Sequence, residues 1–297
     1  MDLKGCLKPT CLGCLGLLVI LIIVIGITAA VAWRGAEKQR LEDRELAAAE
    51  AAPTDAFITG PGRVILDLGQ GEFTIGSAAP GEGIQVKARF DQETHELLDE
   101  YKILPDSTWV YRVGYRRTIP ALQAILQAIF SEHTESRVEV YLPPDLPIVL
   151  EIHVKQGGCE VDLGGLWITE ADINFKQGGF ELDVSEPLHE PLERMTVIGR
   201  MGGFDTRRLG NASPRTLVVD CRMGGASIDL RGEWLRDSNI TARVSMGGMA
   251  IMVPDDVEVR GTDVEGSRLR TRDREVPLPV LTISTQAQMG EVEVIQR

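Results

Sequence analysis

The sequence predicts a mainly β protein: a single-stranded, right-handed β-helix (a β-solenoid) with one inserted amphipathic helix, preceded by an N-terminal transmembrane helix. Three observations lead there. A Gly-Gly pair returns at Gly157-Gly158, Gly178-Gly179, Gly202-Gly203, Gly224-Gly225 and Gly247-Gly248, in steps of 21, 24, 22 and 23 residues, with a degenerate copy, Gly290-Glu291, 43 residues later. Apolar and polar residues alternate after these pairs. Near the N-terminus, positions 11–33 hold no charged residue.

A fixed period in the twenties marks one supersecondary unit stacked on itself. Cys159, Val161 and Leu163 alternate with Glu160 and Asp162, and Phe180, Leu182 and Val184 with Glu181 and Asp183. Ala226, Ile228 and Leu230 alternate with Ser227 and Asp229, and Met249, Ile251 and Val253 with Ala250 and Met252. Period two sends one set of side chains inward and the other to water. The glycines mark tight turns, or places where successive layers approach so closely that a Cβ would clash. Each step has room for about three short strands of ~5 residues. The 43-residue gap before Gly290 reads as close to two further steps. Right-handed winding follows from the usual chirality of parallel crossovers.

The segment 11–33 is rich in Leu, Ile and Val and bounded by Lys8 and Arg34. At about 1.5 Å per residue it spans a ~30 Å hydrocarbon core, so it reads as a transmembrane helix. An uncleaved signal anchor is preferred to a cleaved signal peptide, for which the apolar run is long. Lys4 and Lys8 precede the helix, and Arg34, Lys38, Arg40 and Arg44 follow it. Basic residues alone would keep the C-terminal domain cytoplasmic. The four later ones are interspersed with Glu37, Glu42, Asp43 and Glu45, however, and long domains translocate regardless of flanking charge. The expectation is therefore a short tail (1–10) inside and the soluble domain outside. Gly26 and Ala30 form a small-x-x-x-small pair, a hint of helix dimerisation.

The charged, alanine-rich stretch 34–57 is expected to prolong the helix and become a linker, with the β-solenoid domain filling 58–297. Val64, Leu66 and Leu68 alternate with Ile65 and Asp67 before Gly69 and Gly71, which suggests a divergent first turn of the coil. A basic-aromatic stretch (Trp109, Tyr111, Arg112, Tyr115, Arg116, Arg117) follows Pro105. Beyond it, Leu122, Ile125, Leu126 and Ile129 fall at i, i+3, i+4 and i+7, one face of a helix with Pro120 in its first turn. That helix, placed near 119–133, reads as a cap shielding the coil from edge pairing, and alternatively as a mobile element for a partner or membrane.

Runs such as Gln156-Gly-Gly-Cys-Glu-Val-Asp-Leu163, Phe175-Lys-Gln-Gly-Gly-Phe-Glu-Leu-Asp-Val184 and Val244-Ser-Met-Gly-Gly-Met-Ala-Ile-Met-Val253 resemble the bacterial toast-rack domains. That group includes the C-terminal domain of LiaF-like cell-wall-active-antibiotics response proteins and related adhesin-like β-repeat domains. The resemblance covers roughly 60–297 and rests on glycine and apolar spacing. It implies a membrane-attached bacterial envelope protein linked to stress signalling or surface interaction. This chain departs from the response proteins in having one membrane helix and an inserted helix.

The residues offer no assembled chemistry for an enzyme. His95, His133, His153 and His189 are scattered and read as surface or satisfied core residues, no nucleophile motif surrounds a serine or cysteine, and no phosphate-binding loop motif occurs. No cofactor is expected. A net charge of −13 argues against nucleic acid. Cys6, Cys11 and Cys14 crowd the membrane entry and read as tolerated or acylated thiols, while Cys159 and Cys221 read as core thiols rather than a disulfide. Met201, Met223, Met246 and Met289 each precede the glycine position, continuing Gln156 and Gln177. Stacked thioethers could bind a soft ion such as Cu(I), but core filling is the preferred reading.

The acidic residues Glu160, Asp162, Glu181, Asp183, Asp205 and Asp229 follow the glycine pairs at outward positions, so a stacked coil would set them on one face. Layers ~4.8 Å apart would bring like charges together, favouring a cation or basic partner, against the plainer reading of a solvated face. The function expected is a membrane-anchored, non-enzymatic interaction or sensing module of the bacterial inner membrane and envelope. Its partner would be another envelope or signalling protein. A tethered scaffold assembling end to end through self-association is the alternative, and a carboxylate-dependent polysaccharide-cleaving enzyme the third.

Overall fold

The computed structural model describes residues 60–92, 94–118, 136–261 and 278–296, together with the strand at 41–47. The protein is mainly β, organised around one many-stranded sheet. In chain order the strands are β1 (Leu41–Ala47), β2 (Gly62–Ser77), β3 (Gln85–Asp91), β4 (His95–Ile103), β5 (Trp109–Arg117), β6 (Arg137–Leu142) and β7 (Ile148–Asp162). They continue as β8 (Ile168–Asp183), β9 (Arg194–Arg207), β10 (Thr216–Asp229), β11 (Ser238–Val253), β12 (Glu258–Gly261) and β13 (Val280–Gln296).

From β7 onward each long strand pairs in parallel with the next, in the order β7-β8-β9-β10-β11-β13. The register sets glycine on glycine: Gly157↔Gly178, Gly178↔Gly202, Gly202↔Gly224, Gly224↔Gly247 and Gly247↔Gly290. The three short strands expected per step are not what forms. Each step holds one long strand of 14 to 16 residues from β8 to β11, bent at its glycines. The first glycine of each pair adopts a φ between 126° and 139°, which turns the chain while the ladder on either side continues.

The 43-residue gap holds no extra layer on this path, because β11 pairs directly with β13. Instead β12 crosses over to the far side of β13, where Glu258–Gly261 lies against Val280 to Ile283. A matching arrangement occurs at the other end. β2 lies between β7 on one edge and β5 and β6 on the other, with Gly71 opposite Gly157. The expected first turn is therefore the second layer, and the terminal layer is made of strands that come later in the chain. β4 pairs antiparallel with β5, and β3 antiparallel with β6, so two antiparallel strands cover part of that end.

The segment expected to continue as a helical linker includes β1, an extended strand antiparallel to β3. Its register sets Asp43 opposite Arg89 and Glu45 opposite Lys87, and it occupies an edge of β3 that would otherwise be open. The expected membrane helix (11–33) and inserted helix, with Leu122, Ile125, Leu126 and Ile129, lie outside the described residues. So do Cys6, Cys11, Cys14, Gly26, Ala30 and His133. Among the described residues no helix is long and apolar enough to cross a membrane.

The inward set is as the alternation predicts. Val154, Phe175, Cys221 and Val244 occupy one buried column, and Cys159, Phe180, Phe204, Ala226 and Met249 another. Gly199 interrupts the first column because the Phe175 ring fills its space, stacking on Phe180 at 5.0 Å between centroids. Segments between the strands close over this core with Leu163, Leu188, Leu209 and Trp234. Burying one such side chain contributes about 1.5–3 kcal/mol.

Candidate functional site

The outward residues after the glycines fall into two columns. In the first, Glu160↔Glu181↔Asp205 are in register, followed by Ser227 and Ala250. In the second, Asp162↔Asp183↔Arg207 are in register, and Asp229 lies opposite Met252. Glu160, Glu181 and Asp205 are thus neighbours in one row and Asp162 and Asp183 in the other, while Asp229 stands apart from both runs.

Arginines a layer or a turn away answer much of the charge. Arg207 Nη1 lies 2.7 Å from Glu181, Arg208 pairs through two nitrogens with Asp183, and Arg231 pairs through two nitrogens with Asp229. Asp229 is buried rather than outward, 3% exposed, and its backbone N–H donates to Thr206 Oγ1. Burial opposes its charge, but the Arg231 bonds outweigh that and hold its pKa below the usual carboxylate range. Asp162 behaves alike: burial raises its pKa, and bonds from Ser185 and the backbone N–H of Gly164 more than reverse the effect. Glu160 and Asp205 make no ion pair among the described residues. Asp205, Arg207, Arg208, Asp229, Arg231 and Met252 line a shallow open cleft.

The glycine corner separates into two unlike positions. A Cβ on the first glycine of a pair would collide with the carbonyl oxygen of the glycine one layer earlier. The second position is open in the middle of the stack: nothing lies within 4 Å of a Cβ built on Gly179, Gly225 or Gly248. Towards the ends glutamates take this second position, with Glu72 opposite Gly158 and Glu291 opposite Gly248. Gly158 N–H donates to Glu72 at 3.3 Å.

The methionines stand in register beside this corner, Met201↔Met223↔Met246↔Met289, next to Gln177. They do not fill the core. Met201, Met223 and Met246 are 40–44% exposed and Met289 70%. They sit at the bend itself, where the chain turns outward and period-two alternation stops deciding which side a residue faces.

Cys159 and Cys221 are buried and unpaired, and burial raises both thiol pKa values. His153 is partly exposed beside Glu151, and exposed His189 stacks on Trp167. His95 departs from expectation. It is buried, stacked on Tyr115 at 5.2 Å, with Nδ1 2.9 Å from Thr94 Oγ1, while its Nε2 has no hydrogen-bond partner among the described residues. Thr94 Oγ1 also lies 2.9 Å from Asp91. Burial lowers the His95 pKa, Arg117 lowers it further, and Asp91 opposes them. The strands around it, β4 and β5, were not expected, although in β5 Trp109, Tyr111, Val113 and Tyr115 alternate with Arg112 and Arg116 in the period-two pattern of a half-buried strand.

Among the described residues no group of three or more His, Cys, Asp or Glu is placed to hold a metal ion. No family model matches the chain, and no curated protein matches it. Solved structures similar to it include a proposed cell adhesion protein from Clostridium sporogenes, 11% identical, covering 88% of this chain and 100% of that one with a TM-score of 0.38. A proposed adhesin from Bacteroides fragilis is 9% identical, covering 86% and 97% with a TM-score of 0.34. One from Parabacteroides distasonis is 11% identical, covering 87% and 98% with a TM-score of 0.27. Likeness at these scores decides neither fold nor function.

Proposed function

We propose that the chain is a non-enzymatic interaction module of the bacterial envelope: a right-handed β-solenoid held at the inner membrane by the 11–33 helix and displayed outside it. The observation that carries this reading is the in-register parallel pairing from β7 to β13, which repeats the same outward positions layer after layer on a rigid frame. Such a frame recognises an extended partner through rows of side chains rather than a cleft. In the row Glu160, Glu181 and Asp205 the carboxylates of Glu160 and Asp205 make no ion pair among the described residues, and a basic polypeptide is the partner their charge favours. The test is calorimetric titration of the full chain in detergent with a lysine-rich peptide at low and high salt. Binding that weakens with salt and is lost in Glu160→Gln with Asp205→Asn supports the reading, and binding unchanged by that pair removes it. Protease protection in sealed vesicles checks the side of the membrane.

A second reading, end-to-end self-association, is favoured by β13. Beyond Ile283 its outer edge meets no strand among the described residues, and Ala287 is exposed where Val244, one layer earlier, is buried. Sedimentation that stays monomeric up to high concentration would exclude it.

A further inference from the structure

We propose that the methionine row Met223, Met246 and Met289 is a binding site for a soft monovalent metal ion of the Cu(I) class, centred between Met246 and Met289. Each is a thioether donor, the ligand type that selects Cu(I) over the harder divalent ions. All are solvent-exposed and occupy the same register position on consecutive strands. Neighbouring parallel strands lie about 4.8 Å apart. Two metal–sulfur bonds of about 2.3 Å laid end to end nearly span that gap. An ion can therefore bridge two adjacent sulfurs in a linear arrangement without distortion of the ladder, and the flexible methionine stem lets a third sulfur lean in.

The surroundings single out one end of the row. The residues preceding Met201 and Met223 are Arg200 and Arg222, whose charge opposes a cation; those preceding Met246 and Met289 are Ser245 and Gln288. Glu291 takes the second glycine position in the Met289 layer, adding a carboxylate where the middle layers have none. Nothing lies within 4 Å of a Cβ built at Gly248, so the second glycine position two residues on from the exposed Met246 is open. A row packed into the core would have no such access.

The test is a titration of the full chain in detergent micelles with Ag(I), a redox-inert stand-in for Cu(I), followed by the NMR signals of the methionine methyl groups. Met195 and Met249, buried at 0% and 3% exposure, are the internal controls. The proposal expects the Met246 and Met289 methyls to shift first, Met223 next, and the controls to stay. Met246→Leu should then weaken Ag(I) binding at Met289 by about tenfold or more, as expected of groups sharing one partner. Shifts absent from the row, shifts equal in the controls, or Met289 binding unchanged in Met246→Leu would each overturn it. Circular dichroism of the variant confirms that the exposed substitution leaves the fold intact.

Discussion

Gly178 lies on Gly157 so closely that a Cβ on the later glycine would meet the carbonyl oxygen of the earlier one, and its φ of 126° already disfavours any L side chain. Gly178→Ala should therefore destabilise the fold by about 1–3 kcal/mol from backbone strain alone, with the collision added. Its neighbour behaves oppositely. Gly179→Ala places a methyl in open space and restricts the unfolded chain, so its effect should stay within about 1 kcal/mol and lean towards stabilising. Denaturant melts of the two variants check this contrast between adjacent glycines.

Asn211 ties three layers together. Its amide donates to Val184 O at 2.8 Å, and its carbonyl oxygen accepts from Glu233 N–H at 3.0 Å. Asn211→Ala leaves both backbone groups without this partner and should cost about 1–3 kcal/mol. Asn211→Asp restores the acceptor alone and should fall between. Thermal denaturation of the three proteins orders them.

Acid sensitivity should begin at His95. Its folded pKa is lowered, so near its ordinary value of 6.5 the unfolded chain takes up a proton that the folded one does not. Stability from this residue is complete above that pH and declines as pH falls towards the folded pKa, by at most about 1.4 kcal/mol per pH unit. His95→Phe should flatten stability between about pH 5 and 7. Asp162 and Asp229 act lower: their pKa values are depressed, so their contribution is present above the ordinary carboxylate range and is lost only as pH falls through it. Chemical denaturation across this range separates the two effects.

Removing the guanidinium that answers buried Asp229 should be more damaging than removing an exposed pair. Arg231→Met leaves a carboxylate whose side chain is 4% exposed and should cost about 1–3 kcal/mol. Arg215→Met, which breaks the exposed pair with Glu193, should change stability by less than about 1 kcal/mol. Urea midpoints of both variants test the ranking.

Much of the stack was legible from Gly157 onward, because inward residues such as Val161, Leu182 and Ile251 and the returning glycines obey two periods at once. The ends were not. β2 and β13 are slotted between strands that are closer in sequence to each other, and spacing alone carries no record of layer order. The candidate face was half legible. Alternation placed Glu160, Glu181 and Asp205 together, but Glu181 and Asp183 draw arginines from the next layer, a partnership that depends on cross-layer geometry, and Asp229 is buried against Arg231 two residues on. The exposure of the methionines was not legible, because alternation loses its meaning where the chain bends. β5 carries the same period-two signal in Trp109, Tyr111, Val113 and Tyr115, set among arginines that make it read as a basic-aromatic stretch.

Cross-linking reads out the order of the strands in the sheet. Neighbouring strands ~4.8 Å apart satisfy the Cα spacing of a disulfide, and positions two layers apart, at about twice that, do not. In a chain carrying Cys6→Ser, Cys11→Ser and Cys14→Ser, mild oxidation of Met246→Cys with Met289→Cys should give an intramolecular disulfide despite their 43-residue separation. Met223→Cys with Met289→Cys should not. A bond in the second pair and none in the first would contradict the stack.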